Sequence, residues 1–253
     1  MRLKGKVAIV TGAGSGIGQA TAILFSEEGT KVVVADVDPA GAENTVSMIK
    51  EKNGEAIFVQ ADISNEPEAK QIAAAAAKVW GRIDILVNNA AVSIRKGFAG
   101  TLDDWRRSLD VNVIGTALST KYAAEEMRKN GGGSIVNVSS ISALVAQPDF
   151  FVYSATKAAV LQMTRNMAMD LAPFKIRVNA VCPGPTLTPD TRLAMQTSGL
   201  TEDQWFARVN ANTLLKGIAQ PREIALCILF LASDDASNVT GTHLIADGGW
   251  TTQ

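Results

Sequence analysis

Tyr153 and Lys157 stand one helical turn apart, in the stretch Tyr-Ser-Ala-Thr-Lys. Spacing of i, i+4 puts both side chains on one face of a helix. An ammonium beside a phenol favours the phenolate, lowering an ordinary value of about 10 toward working pH. Such a pair can take a proton from an alcohol or give one to a carbonyl oxygen. It needs no imidazole, and this chain has almost none to offer. Its one histidine is His243, and its two cysteines, Cys182 and Cys227, stand alone. A catalytic triad would have to use His243, which sits in an apolar run and reads as a core or interface residue. Multi-histidine metal sites and the C-x-x-C spacings of zinc and redox sites are excluded. No metal is expected.

A second stretch with chemical meaning is Thr11-Gly12-Ala13-Gly14-Ser15-Gly16-Ile17-Gly18, between an apolar run and a helical pattern. Glycines at 12, 16 and 18 let the backbone approach a pyrophosphate, which would rest on amide groups at a helix N-terminus. Asp36 follows 18 residues beyond Gly18, at the end of the second apolar run. A carboxylate there can accept hydrogen bonds from the adenosine ribose hydroxyls and repel a 2′-phosphate. Ser15 occupies the turn where a basic residue would welcome that phosphate. Both choices point to NAD over NADP. Asp62, just after the third run, is placed to bond the adenine amino group.

The elements that must position these residues alternate along the chain. Strand-like runs are Val7–Val10, Lys31–Ala35, Ala56–Val59, Ile83–Val87, Ser134–Val138, Ile176–Val181 and Thr242–Ile245. Helical stretches are Ile17–Glu28, Pro39–Lys52, Glu66–Val79, Leu102–Lys129, Tyr153–Leu171 and Arg222–Ala232. Continuous apolar runs suit parallel strands covered on both faces. The alternation predicts an α/β fold: a doubly wound, Rossmann-like parallel sheet with helices on both faces. No linker or repeat divides it, so residues 1–253 are read as a single domain. Pro183 to about Asn212 breaks the rhythm with three prolines and the aromatics Trp205 and Phe206. A long excursion at the carboxyl end of a sheet predicts a lid or substrate loop, about residues 185–212.

With these residues in register, the chain resembles the classical short-chain dehydrogenase/reductase family. The likeness runs from Thr11–Gly18 through Asp36, Asp62, Asn88-Asn89-Ala90, Asn112, Ser140, Tyr153-x-x-x-Lys157 and Pro183-Gly184 to Asp247-Gly248-Gly249. The resemblance implies about seven strands, a nicotinamide cofactor and commonly a homotetramer. It implies a catalytic set of Asn112, Ser140, Tyr153 and Lys157. Ser140 would hold the substrate oxygen, and Asn112 would position a water linking Lys157 to solvent. Ser140 is preferred to its neighbour Ser139 because it lies 13 residues before Tyr153.

Cofactor contacts implied in the same way are Gly12, Ser15, Gly16, Ile17, Gly18, Asp36, Asp62, Ile63, Asn89, Ala90, Tyr153, Lys157, Pro183 and Gly184. Asn88 would flank the adenosine side too. Thr186 or Thr188 would hold the nicotinamide carboxamide, with the choice open. One departure stands out: the family usually has Gly where this chain has Ala91. A methyl fits there if the backbone is not left-handed.

Ser140, Ser142, Gln147 and Tyr153 are the expected substrate contacts, with Phe150, Leu187, Leu193 and Trp205 nearby. This set is mostly apolar and favours a carbon-rich substrate over a highly charged one. Lys+Arg 24 against Asp+Glu 25 offers no footprint for nucleic acid. No run approaches the ~18 apolar residues of a membrane span, and the apolar stretch after the basic start is too short for a signal peptide. A cytoplasmic protein is expected. The leading expectation is an NAD-dependent oxidoreductase interconverting a secondary alcohol and a ketone. Rival readings are a 3-oxoacyl-thioester (acyl-carrier-protein) reductase, against which Asp36 argues, and a catalytically silent nucleotide-sensing protein.

Overall fold

Seven strands form one parallel sheet in the computed structural model, which describes residues Met1–Thr252. They are β1 (Val7–Thr11), β2 (Lys31–Asp36), β3 (Ala56–Gln60), β4 (Ile85–Asn88), β5 (Gly133–Val138), β6 (Ile176–Pro183) and β7 (His243–Ala246). Their order in space is β3-β2-β1-β4-β5-β6-β7. The chain winds one way from β1 to β3 and the other way from β4 to β7. That reversal opens a crevice at the carboxyl ends of β1 and β4, where such sheets bind ligands. Register is regular across it, with Ile9 opposite Val33 on one side and Leu86 on the other.

Among the described residues there are nine α-helices, α1 (Gly16–Glu27), α2 (Pro39–Glu51), α3 (Glu66–Trp80), α4 (Leu102–Leu109), α5 (Thr116–Lys129), α6 (Phe151–Leu171), α7 (Pro189–Thr197), α8 (Glu202–Ala211) and α9 (Pro221–Ala232), and α1, α2, α3, α5, α6 and α9 pack on the sheet. Alternate strand residues enter two cores. Ala8, Val10, Val32 and Val34 pack with Phe25 of α1 and Ile224 and Ile228 of α9. Val7, Ile9 and Val33 face the other way, toward Ile72 of α3 and Met127 of α5. The period of two therefore serves both faces at once. Each fully buried large side chain contributes about 1.5–3 kcal/mol. No helix among the described residues is long and apolar enough to cross a membrane.

The helix starts follow local chemistry. Asp38 caps α2, accepting from the amides of Ala40 and Gly41, with Pro39 first in the helix. Gln220 and Glu223 form a capping box around Pro221 at α9.

Two expectations need revision. Residues 185–212 are not a loop: they hold α7 and α8. The signals were readable, because Thr188 caps α7 ahead of Pro189 and Thr201 forms a capping box with Gln204. The predicted helix 102–129 is interrupted by a π-type turn, Asp110–Gly115. At its end Gly115 lies against Ile63, where a Cβ would come within 2.6 Å of Cγ1. Among the singletons, Cys182 is buried, but Cys227 and His243 are only half-buried. His243 lies on β7, at the edge of the sheet.

Candidate active site

The glycine turn leaves β1 and is gripped by the chain that leaves β4. The Thr11 hydroxyl donates to the Val87 carbonyl and accepts from the amides of Asn89 and Ala90, both at 3.1 Å. Asn89 Nδ2 donates to the carbonyls of Thr11 and Gly12 at 3.0 and 2.9 Å. Gly12 has φ +63°, and a Cβ on it would lie 2.7 Å from Ala90 Cα. On Gly18 a Cβ would lie 2.1 Å from the Gly12 carbonyl oxygen. Both positions exclude a side chain. Ser15 caps α1 without a side-chain bond, and no acid stands in the first turn. The amides there remain available to an anion, assisted by the helix dipole.

Asp36, at the end of β2, is fixed by two backbone amides. Oδ2 accepts from Gly14 at 2.7 Å and Oδ1 from Asp38 at 3.0 Å. Asp62, beyond β3, accepts from the Ser64 amide and hydroxyl and from Arg107 Nη1 at 3.1 Å. Burial works upward on its carboxyl, but Ser64 and Arg107 together hold it below the usual range. Arg107 of α4 was not anticipated, and neither its type nor its spacing announces the pairing. Ala91 has no left-handed backbone, so the alanine in place of the family's usual glycine is accommodated without strain.

Ser139 and Ser140 follow β5. Ser139 is buried, and its hydroxyl donates to the Lys157 carbonyl at 2.9 Å. The Ser140 hydroxyl instead faces the cleft near Tyr153 and donates to Ser142 Oγ at 3.1 Å. Lys157 Nζ lies 5.6 Å from the centre of the Tyr153 ring and donates to the Val138 carbonyl at 2.8 Å. The electrostatics differ from expectation. Burial pushes the Tyr153 phenol up to about 12, and the Ser140 hydroxyl beside it only partly opposes this. Burial also pushes the Lys157 ammonium down to about 8. In the protein alone desolvation is the largest influence on each group.

Asn112 lies in the π-type turn and outside the cleft. Its Oδ1 accepts from the Val92 amide at 2.8 Å, and its Nδ2 donates to the Val92 carbonyl and Thr156 Oγ1, both at 3.0 Å. The Thr156 hydroxyl then donates to the Tyr153 carbonyl at 2.8 Å. The carboxamide is thus a clasp between the segment after β4 and the first turn of α6. All its bonds in the fold go to protein groups.

The remaining expected residues converge on one cleft of about 1130 Å³. Gly12, Ser15, Gly16 and Ile17 line one wall, and Asp36, Asp62, Ile63, Asn89 and Ala90 one end. Ser140, Tyr153, Lys157, Pro183, Gly184, Thr186 and Thr188 line the other end. Gly18 stands behind the turn. Asn88 points beneath the sheet, donating to Thr120 and Asn137, because it is still a strand residue. Ser142, Gln147, Phe150 and Trp205 line the same cleft, and Ser142 donates to Gln147 Oε1.

Leu187 and Leu193 do not reach it. On a helical α7 the face toward the cleft carries Thr191, Ala194 and Thr197, while Leu193 points to solvent. Arg95, Asp149, Asp190, Arg208 and Trp250 also line the cleft. The wall is therefore more polar than the sequence suggested.

A family profile described as enoyl-(acyl carrier protein) reductase matches residues 12–251. A short chain dehydrogenase/reductase of Aspergillus oryzae is 38% identical over 251 residues, covering 98% of this chain and 95% of its own. The cis-4-hydroxycyclohexanecarboxylate dehydrogenase of Sinomonas cyclohexanicum is 41% identical over 248 residues, covering 97% and 96%. Among solved structures, a 7α-hydroxysteroid dehydrogenase complexed with NADH and 7-oxo glycochenodeoxycholic acid superposes with TM-score 0.92 at 38% identity, covering 98% and 95%.

Proposed function

The chain belongs to the classical short-chain dehydrogenase/reductase family, and from that premise we propose that it is an NAD-dependent oxidoreductase interconverting a secondary alcohol and a ketone. One observation carries the reading. Ser140, Tyr153 and Lys157 meet at one end of a cleft that also holds Asp36 and the N-terminus of α1, whose amides have no side-chain cap bond. The cleft exceeds the ~300–1,000 Å³ of an ordinary small-ligand pocket, so a dinucleotide and a substrate fit together. Relatives named for a hydroxycyclohexanecarboxylate and a hydroxysteroid support an alicyclic secondary alcohol.

The α1 amides and glycine turn would hold the pyrophosphate. Asp36, already oriented by Gly14 and Asp38, would accept the ribose hydroxyls and repel a 2′-phosphate. Asp62, Ile63, Asn89 and Ala90 would flank adenosine, and Pro183 to Thr188 would face the carboxamide. When bound, the nicotinamide supplies the carbon that gives or takes hydride and, when oxidised, a positive charge that favours the phenolate. Ser140 holds the substrate oxygen and stabilises charge developing on it. In reduction the Tyr153 hydroxyl donates its proton to the carbonyl oxygen. In oxidation the same oxygen takes the alcohol proton. The protonated resting phenol suits the first role directly. Lys157 keeps positive charge beside the ring, and Asn112 holds the helix turn that carries Tyr153. Exposed rings at Phe98 and Phe151 support a homo-oligomer, as the tetramer common in the family would require. Two unpaired cysteines suit a reducing cytoplasm.

Replacing Tyr153 with Phe removes the proton carrier and should lower turnover by about 10²–10⁴. Titration with NADH, read by protein fluorescence, should show binding retained. Turnover equal to the parent protein in that variant would refute the mechanism.

A further inference from the structure

Arg95 follows β4 and lines the substrate end of the cleft, yet the proton transfer above gives it no part. Its guanidinium is held on three sides. Nε donates to the Ser93 hydroxyl at 3.0 Å, Cζ lies 5.2 Å from the centre of the Phe150 ring, and Nη2 donates to the Asp190 carboxylate. Phe150 packs edge-on against Tyr153, with ring centres 5.8 Å apart. One aromatic ring therefore separates an oriented cation from the phenol.

Asp190 is an exchangeable partner. It is the second residue of α7, and its side chain is 56% exposed, against 28% for Arg95. Released from Arg95, Asp190 keeps water and the positive end of α7. Arg95 is more enclosed and its guanidinium is a cation, so it still requires an anion. A guanidinium oriented by a hydrogen bond and a ring face is suited to a carboxylate.

We infer that Arg95 is a specificity-determining residue for substrates that carry a carboxylate about one ring's breadth from the carbinol carbon. The substrate's acid group takes the place of Asp190. The class is hydroxy acids and oxo acids whose carboxylate is remote from the reacting carbon, and the inference rests on the oxidoreductase reading. It also accounts for the charged lining of a wall that the sequence suggested would be apolar.

5-Oxohexanoate and its methyl ester carry the same ketone and differ in charge. Their kcat/KM values are compared in the parent protein, Arg95→Gln and Asp190→Asn, with NADH titration reporting that each variant is folded. The parent protein should prefer the acid. Arg95→Gln should lower the acid-over-ester ratio at least tenfold, chiefly through the KM of the acid, as loss of a charge-assisted bond requires. Asp190→Asn should raise the ratio, because the competing carboxylate is gone. A ratio unmoved in Arg95→Gln, with both substrates falling together, overturns the inference and leaves Arg95 as a tie between the β4 loop and α7. If neither ketone is reduced with NADH or NADPH, the oxidoreductase reading is what fails. The subsite is then read by calorimetry of 5-oxohexanoate binding in the presence of NADH. Binding at least tenfold weaker in Arg95→Gln supports it, and equal binding overturns it.

Discussion

Asn112→Ala separates a clasp from a chemical group. The side chain is 1% exposed, and its three hydrogen bonds join Val92 to Thr156, which in turn bonds the Tyr153 carbonyl. A neutral bond of this kind contributes about 1 kcal/mol net, so losing all three costs about 3 kcal/mol. In a chain of this size that lowers the melting temperature by about 6–12 °C. Thermal unfolding followed by circular dichroism measures it, with kcat and KM taken well below both midpoints. Turnover should fall with stability, because the first turn of α6 loses its anchor. KM for NADH should move little, since Asn112 lies outside the cleft. A melting temperature within 2 °C of the parent, roughly what under 1 kcal/mol would produce, together with lost turnover would refute the clasp and leave Asn112 acting on the chemistry itself.

Two further outcomes follow from the cleft. Asp36→Ala removes the carboxylate held by Gly14 and Asp38, and the affinity for NADP relative to NAD should rise at least tenfold in fluorescence titrations. An unchanged ratio refutes the role given to Asp36. Lys157 titrates in the folded protein at about 8, below the ~10.4 of an unfolded lysine, so the folded chain loses that proton first. Its contribution to stability therefore rises with pH between about 8 and 10.4. In urea unfolding the parent protein should gain on Lys157→Met by about 1.4 kcal/mol per pH unit across that window. A constant difference between about pH 8 and 9.5, inside the window, refutes the burial argument.

Much of the fold was legible because its signals are local. Every expected strand core lies in or beside an observed strand; Val7–Val10 only lengthens to Thr11, and Ile176–Val181 to Pro183. Asp38-Pro39 and Gln220-Pro221 mark real helix starts. In 185–212 the prolines mask two equally local caps, at Thr188 and Thr201. The helices shape the site as well, since α7 turns Leu193 outward and brings Thr191 and Ala194 in.

Residue types and spacing determined the parallel sheet, the glycine turn beside Asp36, and Tyr153 and Lys157 on one helical face. All of these depend on neighbours within a few residues or on a two-residue period. Spacing from Tyr153 already singled out Ser140; the tertiary structure added that Ser139 is buried with its hydroxyl on the Lys157 carbonyl. It alone joined Arg107 to Asp62, Asn112 to Thr156, and Arg95 to Asp190 across 95 residues of chain. It also reversed the electrostatics of Tyr153. A sequence shows that an ammonium is near a phenol, but desolvation depends on the whole surrounding fold, and here burial is the larger effect.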